Sequence, residues 1–485
     1  MGNGEPRSID LLDGDFYVTD PYPTYAWLRE HDPVHRDTVN DLWGISRYDD
    51  IVSIERDKAT FISSGTERGY RPNIPADRSI IGLDDPHHTV RRNLVSRRFT
   101  PRAAGRWEDH VRGVVTGLLD AVLPAGEAEV IGQLAAPLPA QMIGLLLGFP
   151  HDMWPQLQDW SERTIALGGG PRYHDHDGVA AAMEFAGAAA ELYEAKKPTV
   201  TEGCPMDDVM TVWIDRERKG LEGHDFGLDE MISDCLLLLD GGAETTRTVI
   251  ARTLVELAQR PEQWALLRDG ADLTVATEEF IRWVTPIHNM CRTAATDTEV
   301  AGTSVRAGDQ LLLMYSSANR DPLHFDDPEK FDVTRTPNNH LAFGFGTHFC
   351  LGAALARLEV RVFFEEFVQR VVDLRLKPGT APVEMPNAFV YGLRRAHLEF
   401  DAACRPPWGQ PSPGLLPAMT SSPSDGAMNG EKSGPARNAW PPSTFMAVPV
   451  IQRDSGPTRN LANAPTSDGA PTPVSEVGAR GVLRT

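Results

Sequence analysis

The sequence predicts a mainly α fold with smaller β regions, on three observations. Apolar residues recur at i, i+3, i+4 spacing in PLPAQMIGLLLGF (137–149) and LGAALARLEVRVFFEEFVQRV (351–371). A third stretch, MISDCLLLLDGGAETTRTVIARTLVELAQR (231–260), is almost continuously apolar. A helix of about 30 residues spans roughly 45 Å, enough to cross a domain through its centre. Alternation in DLWGISRY (41–48) and TEVAGTSVRAGDQLLLMY (298–315) predicts peripheral strands and hairpins.

The chain has 485 residues, and length alone suggests two or three domains. Composition changes sharply near Cys404. From Arg405 onward the sequence holds fourteen of the 38 prolines, with many Ser and Gly and almost no periodicity. Such a segment buries too little apolar surface to offset its ordering entropy. A domain over 1–404 followed by a disordered Pro/Ser/Gly-rich tail over 405–485 is therefore expected.

With 47 Lys+Arg against 68 Asp+Glu, the net charge of −21 repels nucleic acid and anionic membranes over most of the surface. The five cysteines, at 204, 235, 291, 350 and 404, form no CxxC pair, which argues against a disulfide framework or zinc site and fits a reducing cytoplasm. The opening MGNGEPRSIDLLDGDFY has no apolar run of signal or anchor length, and Pro6 stands where a myristoylation signal needs Ser or Thr. No stretch approaches the roughly 18 apolar residues of a membrane span.

One cysteine sits in an unusual setting, FGFGTHFCLG (343–352). Gly344 and Gly346 permit tight turns and a close approach to a flat object. Cys350 lies at the mouth of a helix, where unpaired N–H groups and the helix dipole favour a thiolate. A shielded thiolate beside a glycine loop suits an axial iron ligand. By itself a buried free cysteine is the commoner outcome; the whole decapeptide reverses that weighting.

FGFGTHFCLG resembles the haem-binding signature of cytochrome P450, the haem-thiolate monooxygenases, and the resemblance runs in order over about residues 10–402. It implies a haem b (iron protoporphyrin IX) lying between the long central helix and the Cys-loop helix. Cys350 would be the iron ligand, with Phe343 and Gly352 beside the cofactor. Glu279 and Arg282, an i, i+3 pair that alone would only decorate a solvated face, would join Arg335 of KFDVTR in a structural lock. In Gly241-Gly242-Ala243-Glu244-Thr245-Thr246 two glycines and an acid defy helix propensity by about 1 kcal/mol per glycine, as functional sites do. By the resemblance Thr245 bonds dioxygen and Glu244 relays protons. His88, Arg92, Arg292 and His348 would hold the haem propionates.

Weaker signals have plainer readings. His174-Asp175-His176-Asp177 reads as a polar loop rather than a metal site, and Gly168-Gly169-Gly170 as a flexible lid segment. No flavin or iron–sulfur segment is fused to the chain, so electrons from NAD(P)H would arrive through a separate ferredoxin reductase and ferredoxin. Arg91, Arg92, Arg97, Arg98, Arg102 and Arg106, with Arg357 and Arg361, form a candidate docking patch for an acidic ferredoxin.

By the resemblance, Ile287, Asn289 and Met290 of PIHNMCR, with Phe389, Val390 and Tyr391 of NAFVYGL, are expected near the pocket, a mainly apolar lining suited to a large lipophilic substrate. These stretches, with LLDGDFY and PEKFDVTRTPNNHLAFGFGTHFCLG, look most like actinobacterial steroid side-chain hydroxylases, which oxidise the terminal methyl of cholesterol or cholestenone. Ala243 and the long tail depart from that group. The rivals are a polyketide or terpene tailoring hydroxylase and a non-catalytic haem-fold partner. Cys350 speaks against the last.

Overall fold

The computed structural model describes residues 9–201, 207–221 and 226–403. The composition break at Cys404, the 405–485 segment, Cys204 and the N-terminal octapeptide lie outside them.

The helices used below are α1 (Tyr48–Arg56), α2 (His87–Val95), α3 (Glu108–Val122), α4 (Pro137–Leu147), α5 (Trp154–Thr164), α6 (His176–Lys196), α7 (Val209–Lys219), α8 (Leu228–Ala258), α9 (Leu273–Val284) and α10 (Ala353–Arg370). The strands are β1 (Val34–Asp37), β2 (Leu42–Ile45), β3 (Phe61–Ile62), β4 (Glu127–Glu129), β5 (Asn289–Ala294), β6 (Gln310–Met314), β7 (Val371–Leu376) and β8 (His397–Ala402).

All three helical stretches form helices. The 31-residue α8 packs against α4, α5, α6, α9 and α10 and carries buried side chains along its whole length, which explains its near-continuous apolarity. At Gly242 an added Cβ would come within 2.9 Å of Ile143, so this glycine lets α4 close on α8. Gly148, at φ +95°, ends α4 in the left-handed conformation that favours glycine.

The alternating stretches become sheet. Strands β1, β2, β6, β5 and β3 form a five-stranded sheet in that order, with β2–β6 parallel and the other pairs antiparallel. Thr298–Val300 and Thr303–Val305 make a hairpin turned by Ala301 and Gly302, both at positive φ. Strands β4, β8 and β7 make a second sheet. Among the described residues, no helix is long and apolar enough to cross a membrane.

Two loop readings change. His176 and Asp177 open α6, and Asp175 caps it by accepting from the Gly178 N–H at 2.7 Å. The glycine run is packed: side chains on Gly168 and Gly169 would meet Phe389 at 2.3 Å and Tyr173 at 2.5 Å. Close contact accounts for those two glycines, and φ +100° for Gly170.

Candidate active site

In the middle of α8, Gly241 is exposed and Thr245 half-exposed. They face an internal cavity between α8 and the 343–352 loop, about 1490 Å³ including its open mouth. On the α8 side it is walled by Gly241, Gly242, Thr245 and Val249; Phe343, Cys350, Gly352 and Leu355 face them. An added Cβ on Gly241 would meet nothing within 4 Å, so the helix surface there is bare toward the cavity.

Backbone geometry presents Cys350. Its N–H donates to the Phe343 carbonyl at 2.9 Å, closing the loop, and Gly344 and Gly346 hold positive φ at +66° and +67°. At Gly346 a Cβ would lie 2.5 Å from the Glu55 carbonyl oxygen, which ties the loop to α1. Burial pushes the Cys350 thiol up, opposed by the N–H groups of Gly352 and Ala353 and by Arg92 and Arg357. The sulfur thus meets the first turn of α10 in an electropositive setting.

One edge of the cavity gathers His88, Arg92, Arg292 and His348. The His88 and His348 rings lie 4.2 Å apart, and Arg92 donates to the Phe349 carbonyl. His88 is buried with no hydrogen-bond partner on either ring nitrogen, and burial, reinforced by His348 and Arg92, pushes it down to about 4. It therefore offers a neutral imidazole rather than a cation. His348 meets Ser63 Oγ at 3.3 Å and Asp84, whose carboxyl is held well below the usual carboxylate range by donors from His348, Ser63 and Ser64 despite its burial.

Glu279 and Arg282 are fully buried and paired through two bonds, Nε to Oε2 at 2.7 Å and Nη2 to Oε1 at 2.8 Å. Arg335 reaches the same carboxylate at 3.2 Å and donates to the carbonyls of Asp326, Asp327 and Lys330. Arg282 donates to the Asn319, Pro328 and Lys330 carbonyls, so the lock anchors the segment that enters the cysteine loop.

On α8, Thr245 Oγ1 donates to the Gly241 carbonyl at 2.7 Å while facing the cavity. Glu244 points away, toward α5. Its Oε2 lies 3.1 Å from Arg247, which also lies 3.1 Å from Glu162, a carboxylate open to solvent. Burial pushes Glu244 up to about 7, against the pull of Arg247.

The substrate residues divide. Ile287 and Met290 line the cavity. Asn289 does not: strand alternation turns it to the opposite face of β5, where Nδ2 donates to the Ala388 carbonyl at 2.7 Å and to Tyr17. Phe389 and Val390 are not in the cavity wall either. They pack with Ile165 and Met385 behind Ile287 and Met290. Tyr391 is fixed against α8, its carbonyl accepting from Arg252 and its ring beneath that guanidinium.

The sequence reading missed three polar residues on the cavity. Glu55 and Tyr315 stand beside Arg292, and Glu359 of α10 is buried with Oε2 unpartnered. Glu55 had one local signal: Tyr48, Ile51 and Glu55 share a helical stripe, and an acid on a buried apolar stripe needs a reason. Asp240, one turn before Glu244, also went unnoticed. It accepts from Thr164 at 2.7 Å, and burial pushes it up to about 8.

A family model described as cytochrome P450 matches residues 169–399. A steroid C26-monooxygenase of Mycobacterium tuberculosis is 38% identical over 413 residues, spanning 84% of this chain and 100% of that protein. The chain belongs to the cytochrome P450 family. A linalool 8-monooxygenase of Pseudomonas putida is 32% identical over 385 residues, 76% of this chain and 93% of that protein. Among solved cytochromes P450, CYP268A2 of Mycobacterium marinum with pseudoionone superposes at TM-score 0.72 with 30% identity, covering 82% of this chain and 100% of that one. CYP109E1 of Bacillus megaterium with testosterone gives 0.71 and 28%, covering 80% and 99%.

A cytochrome P450 uses haem b and electrons from redox partner proteins. The cavity fits the cofactor: apolar walls on two faces, a cysteine sulfur on one, and on one edge a buried imidazole without a partner beside two arginines. Such an edge complements the two carboxylates of an otherwise apolar flat ring.

Proposed function

We propose that this monooxygenase hydroxylates the terminal methyl of a sterol side chain, with Cys350 as iron ligand and a ferredoxin as electron donor. The observation that carries the reading is the apolar cavity with Cys350 on one wall and Thr245 on the other. Similarity over most of the chain to steroid C26-monooxygenases supports the substrate class. The bound haem supplies dioxygen activation and insertion of one oxygen atom into a C–H bond. The chain supplies the rest. Phe343, Leu355 and Val249 would shield a bound haem from water, and His88, Arg92, Arg292 and His348 would hold its carboxylates. Thr245 would offer its hydroxyl from the cavity wall opposite Cys350. Glu244, pushed up to about 7 by burial, is the acid available to carry a proton, paired with Arg247, which in turn reaches the solvent-open Glu162. Ile287 and Met290 contact the substrate, while Asn289, Phe389 and Val390 support that wall from behind.

The arginine patch for ferredoxin docking is smaller than eight residues. Arg91 is buried against Asp234, Arg357 is bound to Glu278, and Arg361 to Glu108 and Glu365. Arg97, Arg102 and Arg106 are exposed and carry the reading. We place the catalytic unit at 1–404, the 405–485 segment outside it, and the protein in the cytoplasm.

A spin-state titration of the purified protein with cholestenone, a macrolide and a monoterpene, followed by product analysis with a surrogate redox system, tests the substrate. Tight binding of cholestenone and a terminal-methyl alcohol support the proposal. A shift with the monoterpene alone contradicts it and favours the second reading, terpene hydroxylation, which the linalool 8-monooxygenase relative supports.

A further inference from the structure

Glu55 sits where a cation would be expected. Its side chain is buried on α1 and lines the cavity at the edge that gathers His88, Arg92, Arg292 and His348. Oε1 accepts from Arg292 Nη2 at 3.1 Å and from Tyr315 Oη at 2.8 Å, both buried. Oε2 is buried and has no hydrogen-bond partner.

The charges of that edge already balance without a ligand. Two arginines, Arg92 and Arg292, stand against two acids, Glu55 and Asp84, while burial holds His88 and His348 toward the neutral form and Tyr315 keeps its proton. Two carboxylates from a haem would add two negative charges to a buried site, and like charges at close range cannot all remain ionised. One acid must take up a proton. Asp84 is the wrong one, since it accepts two backbone N–H groups and His348. Glu55 is the acid with an oxygen free of side-chain donors, and burial pushes its carboxyl up despite Arg292.

We propose that Glu55 is a positioning residue for the cofactor, protonated in the haem-bound protein and donating that proton to a haem carboxylate that shares Arg292 with it. The proton comes from solvent when haem binds, and no other bond is made or broken. The proposal rests on the haem assignment; a wild-type protein without a thiolate-haem spectrum would overturn both, whereas the measurements below concern Glu55 alone.

The test compares holoprotein of wild type and Glu55→Gln, since glutamine keeps the shape and a donor but carries no charge. Midpoint potential against pH and the infrared carboxylic-acid C=O band are the readouts. The expected result is an unchanged midpoint at neutral pH, loss of one carboxylic-acid band, and disappearance of the fall in potential that wild type shows as Glu55 ionises at alkaline pH. A rise of the midpoint in Glu55→Gln at neutral pH would mean that an ionised carboxylate had been removed, and would overturn the proposal. So would an unchanged infrared spectrum, or a variant with wild-type helical content that takes up no haem. Should the variant not fold, wild type alone decides: a midpoint without an alkaline proton-linked fall is contrary, and one with it is supporting.

Discussion

Glu244 Oε2 lies 3.1 Å from Arg247 one turn further along α8, and both side chains are only 2% exposed. The guanidinium is what keeps this buried acid near neutrality rather than far above it. Arg247→Leu removes that pull, so Glu244 should hold its proton to higher pH. Each unit of further rise costs the ionised form about 1.4 kcal/mol. The loss of melting temperature relative to wild type should therefore grow from pH 6 to pH 9; a loss equal at both ends would contradict the pairing.

Asp240, ordinarily near 3.8, is pushed up to about 8 by burial. Because the folded-state value is raised, its contribution to stability is complete below about pH 4 and is lost as pH rises toward 8. The steepest slope is about 1.4 kcal/mol per pH unit. Asp240→Asn should flatten that decline in urea midpoints measured from pH 4 to 8. An identical decline in the variant would sink the assignment.

Glu279 and Arg282 are both fully buried. Removing one strands the other, which costs about 3–5 kcal/mol. Arg282→Ala should lower the melting temperature strongly and abolish haem incorporation. A variant with normal haem content would show that the lock is dispensable.

Thr245→Ala should bind haem normally and still consume electrons. Product formation should fall on the order of 100-fold, with hydrogen peroxide in its place. Peroxide and product assays on one sample check this, and unchanged product per electron is the contrary result.

Much of this molecule was legible in its sequence, for reasons that differ by residue. The 228–258 helix announces itself because side chains buried along its whole length demand apolarity, and the Gly241–Thr246 break shows because it violates that demand. The cysteine loop is readable because Gly344 and Gly346 need positive φ. Glu279, Arg282 and Arg335 came from the resemblance and found their partners in the fold. Asn289 was misplaced because neighbours on a strand alternate faces: the same strand that sends Met290 into the cavity sends Asn289 out of it, while Phe389 and Val390 pack together with Ile165 and Met385 behind that wall. Glu55 and Asp240 were hidden because their partners, Arg292 at a separation of 237 residues and Thr164 at 76, meet them only in the folded chain.

The most direct measurement is the carbon monoxide difference spectrum of the purified, reduced protein. A strongly red-shifted Soret band, lost in Cys350→Ser, is the predicted result, because a sulfur anion opposite the bound gas produces it. A Soret band at the position of an imidazole-bound or ligand-free haem, or a red-shifted band that survives Cys350→Ser, would contradict the central claim that this sulfur holds the iron.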